Sequence, residues 1–277
     1  MIRKPVVAGH FYEGRKDALI QEIKDCFARG PGEVDVVRKG RGKIKGLVVP
    51  HAGYMYSGWV AAHAYHALAE DGFPDKIIIL GPNHHGYGAA VSIMSKGEWE
   101  TPLGRIKIAE DAEKLRRGII EEDEIAHRYE HSIEVQLPFL QFLNPDFEFI
   151  PICFGWQDME TALEAGNIIS EMEDALIIAS SDFSHVNFSG VPTKEDIEEF
   201  VAGKDRIAIE EILKLNAEGL IEKVEEENIT MCGYGAVAAM LKALEKRAKG
   251  GRLLKYATSF DVAPGNYCVG YAAIAIE

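Results

Sequence analysis

Lys76-Ile77-Ile78-Ile79-Leu80-Gly81-Pro82-Asn83-His84-His85-Gly86 reads as a short apolar strand that runs into a polar turn. The run is β-branched, without alternation, and closed by Gly-Pro-Asn, the pattern of a strand buried on both faces. Such strands belong to parallel sheets covered by helices above and below. Similar runs recur on either side, at Gly46-Leu47-Val48-Val49, Phe149-Ile150-Pro151-Ile152-Cys153 and Ala175-Leu176-Ile177-Ile178-Ala179. Between them, helical spacing covers 16–28, 57–70, 131–143, 158–172, 194–226 with a break, and 231–248. This alternation predicts a single-domain α/β protein over 1–277, an αβα sandwich with a mixed, largely parallel central sheet. The last two runs, 253–260 and 268–276, follow each other without a helix and predict an antiparallel pair at one side. Positions 28–43 are glycine-rich, charged and poor in apolar residues, and read as an exposed loop with no functional role.

Composition narrows the function classes. Forty-four acidic against thirty basic residues give a net charge of −14, which argues against a nucleic-acid backbone or an anionic membrane as the main partner. No apolar run approaches the roughly 20 residues that span a bilayer. Met1-Ile2-Arg3-Lys4-Pro5 lacks the pattern of a secretory signal, so a cytoplasmic location is expected. Cys26, Cys153, Cys232 and Cys268 are widely spaced, without the close pairs of a disulfide framework or a zinc knuckle. The acidic runs at 121–124 and 225–227 read as solvated surface.

In open α/β sheets ligands bind beyond the carboxyl ends of the strands. Three predicted strands end there in histidine-bearing turns: Pro50-His51-Ala52-Gly53-Tyr54, Pro82-Asn83-His84-His85, and Ser180-Ser181-Asp182-Phe183-Ser184-His185. Glu130-His131-Ser132-Ile133-Glu134 opens a helix and offers two carboxylates and an imidazole to the same crevice. Met231-Cys232-Gly233 precedes an apolar helix, where a cysteine can have a lowered pKa and serve as a thiolate ligand or nucleophile; otherwise Cys232 reads as a small buried hydrophobe. Imidazoles, a thiol and carboxylates from distant segments are the inventory of a catalytic metal site or of a Cys-His nucleophilic one.

Together these motifs, with the opening Arg3-Lys4-Pro5-Val6-Val7-Ala8-Gly9-His10-Phe11-Tyr12, resemble the Memo family over the whole chain. That family is similar in fold to the class III, LigB-type extradiol dioxygenases, which open catechol rings with non-haem Fe(II) and O₂. The resemblance implies His51, His84 and Cys232 as metal ligands, His185 as the active-site histidine with Asp182 beside it, and His131 lining the pocket. It also implies a small aromatic substrate, O₂, and partnership with a radical S-adenosylmethionine protein and a small companion domain. Fe(II) is the first choice of metal, with copper or zinc compatible. His185 is the expected base for a substrate hydroxyl, His131 its substitute, and Asp182 a group that orients an imidazole or supports the ligands from behind by a hydrogen bond. Ring-cleaving relatives carry a carboxylate where this chain has Cys232, and Glu130, Glu134 and Asp182 stand as other sources of one. The softer thiolate also suits copper or zinc, so a redox or metal-handling protein, a binding module and a metal hydrolase are the competing classes.

Other residues are ambiguous. His63 and His66, three apart, read as helix packing rather than as ligands, and His10 and His127 stay open. Tyr54 and Tyr56 read equally as core or as substrate contacts. Asn83 and Asn187 are candidate hydrogen-bonders near the site, while Cys26, Cys153 and Cys268 read as structural.

Overall fold

A computed structural model describes all residues, 1–277. The strands are β1 (Ile2–Arg3), β2 (Gly46–Val49), β3 (Lys76–Pro82), β4 (Val91–Ile93), β5 (Glu98–Thr101), β6 (Gly104–Ile108), β7 (Ile120–Glu122), β8 (Glu148–Phe154), β9 (Leu176–Ser180), β10 (His185–Asn187), β11 (Gly251–Thr258) and β12 (Tyr267–Ile276). The helices are α1 (Lys16–Arg29), α2 (Trp59–Asp71), α3 (Ile125–Arg128), α4 (Leu137–Leu143), α5 (Met159–Ile169), α6 (Lys194–Ile197), α7 (Gly203–Leu213), α8 (Ala217–Glu226) and α9 (Tyr234–Leu244). No helix is long and apolar enough to cross a membrane.

All twelve strands form one mixed sheet, whose main path runs β1-β5-β6-β8-β3-β9-β2-β12-β10. Its centre, β6-β8-β3-β9-β2, is parallel, and the apolar runs at 46–49, 76–80 and 175–179 supply buried strands to it. Helices α1, α2 and α4 pack together on one side, and α5, α8 and α9 on the other. The α/β sandwich is therefore as the alternation predicts. β11 and β12 form the expected antiparallel pair, and β12 also joins β2 and β10 antiparallel.

Pro151 is tolerated inside β8 because of where its neighbours change. Along one flank of β8, β6 pairs at Glu148 and Phe149, and β4 takes over from Ile152. Pro151 falls on the seam between them, where its missing N–H breaks no ladder bond.

The departure from the sequence reading lies at 91–122. Four strands, β4 to β7, fill a stretch in which the sequence shows none. They have three to five residues each and sit toward one edge, so long-range pairing rather than local pattern makes them strands. The reading of 131–143 as one helix is shortened to a turn, a 3₁₀ segment at Glu134–Gln136 and α4.

Candidate metal centre

β2, β3 and β9 are adjacent and parallel, so their carboxyl ends deliver His51, His84 and Asp182 to one place. There a cavity of about 530 Å³ opens, lined by all three together with Phe11, Tyr56, His131, His185, Tyr267 and Tyr271. The ring nitrogens of His51 and His84 and the sulfur of Cys232 lie within 4.8 Å of one another.

His51 is buried, and burial, reinforced by the neighbouring imidazoles of His131 and His84, holds it well below the usual histidine range. Its tautomer follows from the bonds around Ser180. The Ser180 hydroxyl donates its one proton to the Ser132 carbonyl (2.7 Å) and accepts from Gln136 Nε2 (2.8 Å). His51 Nδ1, 2.9 Å from the same oxygen, must therefore donate. Gln136 cannot be reversed, since its Nε2 also donates to the Pro50 carbonyl (3.0 Å) while its Oε1 accepts from Tyr65 (2.6 Å). The lone pair of His51 is left on Nε2, 3.1 Å from Cys232 Sγ.

His84 is fixed by a carboxylate. Its Nδ1 lies 2.9 Å from Glu130 Oε1, and its backbone N–H donates to Oε2 (2.6 Å). Glu130 is fully buried and also accepts the N–H groups of His131 (2.9 Å) and Ser132 (2.8 Å). Burial alone would raise its pKa, but His84 and these N–H groups hold the carboxyl well below its usual range. Burial likewise opposes the charged form of His84, and the bond to Glu130 outweighs it and raises the histidine. The neutral ring donates from Nδ1 and keeps its lone pair on Nε2.

Cys232 reaches the site because Gly233 lets the turn close on β9. A Cβ at Gly233 would stand 2.6 Å from the Ser180 carbonyl oxygen. The Asp182 N–H donates to the sulfur at 3.2 Å, and Ser181 Oγ lies 3.8 Å away. The expectation of a lowered thiol pKa is corrected: burial, followed by the Asp182 charge, pushes it up. The imidazole in contact with the sulfur, His51, is neutral, so a thiolate here needs a positive partner such as a metal ion.

The three remaining site candidates line the same cavity. His131 stacks on His84 with ring centroids 4.5 Å apart and meets His51 edge-on at 5.5 Å. Burial lowers it to about 4, so it is neutral near pH 7. His185 Nδ1 is 2.6 Å from the Tyr267 hydroxyl, while its Nε2 is shielded and has no partner. Burial lowers His185 as well. Of the two roles expected of Asp182, the structure shows the supporting hydrogen bond and not the orienting of an imidazole. Its Oδ1 accepts the N–H groups of His51 (2.8 Å) and Ala52 (3.3 Å), pinning the β2 turn, and burial raises its pKa to about 7.

Two of the carboxylates offered as ligands are engaged elsewhere. Glu130 already receives four N–H donors. Glu134 takes Arg3, Tyr12 (2.6 Å) and the N–H groups of Val6 and Val7. Tyr54 is core and donates to the Val135 carbonyl (2.7 Å), whereas Tyr56 lines the cavity. Asn83 turns to the Tyr87 carbonyl (2.6 Å), Asn187 is exposed, and Cys153 is buried in β8. His63 and His66 join no cluster of metal-binding groups. Sequence reasoning missed Ser180, Gln136 and Tyr65 as supports of His51.

A family model described as Memo-like protein matches residues 3–275. The chain belongs to the Memo family. It is 45% identical over 288 residues to a MEMO1 family protein of Methanopyrus kandleri, covering 99% of this chain and 98% of that one. A Methanothermobacter thermautotrophicus MEMO1 family protein is also 45% identical, over 98% of this chain and 99% of its own. One from Sulfurisphaera tokodaii is 44% identical over 99% of both. In this Memo protein the motifs that carried the resemblance are the strand ends and turns around the cavity. The αβα layering is consistent with the relation to class III extradiol dioxygenases.

Proposed function

We propose that this Memo protein is a cytoplasmic extradiol-type dioxygenase that holds non-haem Fe(II) on His51, His84 and Cys232 and acts on a catechol-like aromatic with O₂. The observation that carries this reading is the convergence of three donors, with both imidazoles fixed as Nδ1–H tautomers so that each offers Nε2. Two histidines and one anionic ligand suit Fe(II), which when bound supplies open positions for substrate and O₂ and a path for electrons between them. The surrounding cavity has the size of a small-molecule site, and Phe11, Tyr56, Tyr267 and Tyr271 offer it flat faces for an aromatic ring. His185 lines the cavity and is neutral at pH 7; with Nδ1–H donating to the Tyr267 hydroxyl and the shielded Nε2 opened to the substrate, it accepts the proton of a substrate hydroxyl, and Tyr267 steadies the imidazolium that forms. His131 is the second acceptor, and Asp182 keeps the His51 turn in place. Within this proposal the family's radical S-adenosylmethionine protein is a functional partner, to be sought by co-purification.

The thiol favours a second reading. A sulfur ligand with a backbone N–H aimed at it also suits copper, and a redox or metal-handling role without ring cleavage uses the same donors.

Metal analysis of untagged protein purified anaerobically, paired with O₂ uptake on catechols, separates the two. Near-stoichiometric iron, lost in His51→Ala and Cys232→Ser, with catechol-dependent uptake is the expected result. Copper, or iron without uptake on any catechol, favours metal handling. Zinc or no specific metal overturns both.

A further inference from the structure

Two short basic segments stand out in a chain of net charge −14. Arg38-Lys39-Gly40-Arg41-Gly42-Lys43-Ile44-Lys45 carries five cations, and Lys246-Arg247-Ala248-Lys249-Gly250-Gly251-Arg252 carries four; neither contains an acid. The fold brings the two segments together where β2 and β11 begin and β12 ends, at the end of the sheet opposite the metal centre. They line a cavity of about 680 Å³ whose walls hold Lys43, Lys45, Arg247, Lys249 and Arg252 against one acid, Glu277.

Few of these charges are matched. Glu277 pairs with Arg252 (2.8 Å), and Lys45 donates to the Gly42 carbonyl (2.7 Å). Lys43, Lys249 and Arg247 form no ion pair. Arg247 is held by Nη1, which donates to the Glu173 carbonyl (2.8 Å). Its Nε and Nη2 are shielded from solvent and have no partner. Arg247 thus meets the cavity without a carboxylate partner.

We propose that this basic cavity is a binding site for a small polyphosphate, the di- or triphosphate group of a nucleotide or free pyrophosphate. Lys43, Lys249 and Arg247, none of them in an ion pair, supply the positive charge that neutralises its phosphates. The bounded cavity favours a small ligand over a nucleic acid, because a long polyanion would run on to the acidic remainder of the surface. The proposal gives a role to Lys43, the last residue of the loop 28–43.

Calorimetric titration with pyrophosphate and with ATP, at low and at physiological salt, tests the site. Expected are saturable 1:1 binding that weakens with salt, affinity reduced at least tenfold in Lys43→Ala/Lys249→Ala and in Arg247→Gln, and no change in His51→Ala. The lysine pair guards against a folding defect in the arginine variant. Tighter binding of ATP identifies a nucleotide site, and equal binding a polyphosphate site. No saturable binding, undiminished binding by the lysine variant, loss in His51→Ala, or preferential binding of an RNA oligonucleotide overturns the proposal.

Discussion

At the scale of single residues, the centre depends on groups that touch no ligand. Ser180 has one proton and gives it to the Ser132 carbonyl, which forces His51 to donate from Nδ1. Ser180→Ala removes that constraint, and metal affinity measured by chelator competition should fall about 10- to 100-fold while the fold persists. Glu130→Gln should cost a similar factor through His84, with an added loss of stability from N–H groups that face a poorer acceptor. Affinity unchanged in both variants would remove the tautomer argument. His51 and His84 were legible in the sequence because each closely follows an apolar strand. Glu130 was less so: a glutamate before a helix looks like an ordinary helix start, and only tertiary packing makes it a buried acceptor of four N–H bonds. The thiol misled in the other direction, since the expected helix-terminus effect is local whereas its burial depends on the whole fold.

At the scale of elements, the N-terminal segment is a wall of the cavity. Arg3 and Glu134 form a buried ion pair, and Glu134 also receives the N–H groups of Val6 and Val7 and the Tyr12 hydroxyl. These bonds hold the stretch that carries Phe11, whose ring lies 4.8 Å from that of His131. Glu134→Ala strands the Arg3 charge and should cost about 3–5 kcal/mol in denaturant unfolding. A loss below about 1 kcal/mol would mean that the segment is held by other contacts. The central strands were legible because each is apolar throughout. The strands at 91–122 were not, because Glu98-Trp99-Glu100-Thr101 and its neighbours take strand form only once β1, β6 and β8 lie beside them.

At the scale of the whole molecule, buried neutral histidines and buried carboxyls pull acid stability in opposite directions. His127 is fully buried, donates from Nε2 to the Ser92 carbonyl (3.1 Å), and is lowered by burial and by Arg3 to about 4. The folded pKa lies below the unfolded value near 6.5, so the unfolded chain binds the proton first. Stability is thus retained above about pH 6.5 and lost as pH falls toward 4, by about 3 kcal/mol for this one group. His131, lowered to a similar value, adds to the same slope. Asp182, raised by burial to about 7, and Asp205, raised to about 6, take protons first in the folded chain and act in the opposite sense over the same range. The histidine contribution is therefore read as a difference: from pH 7 to 4 the unfolding free energy of His127→Gln should rise by about 3 kcal/mol relative to the unsubstituted chain, and a constant difference would assign the effect to other groups.

The two imidazoles are braced by Ser180 and Glu130, so the protein itself and not an ion holds the ligands in position. In the proposed metal-binding role, loading is then separate from folding, unlike in small domains that a metal must nucleate. A chelator should strip the centre and leave a chain that takes up metal again without refolding. Under the proposed metal-binding role the identity of the ion becomes a matter of supply: among ions that accept two nitrogens and a sulfur, the surrounding medium selects as much as the protein does.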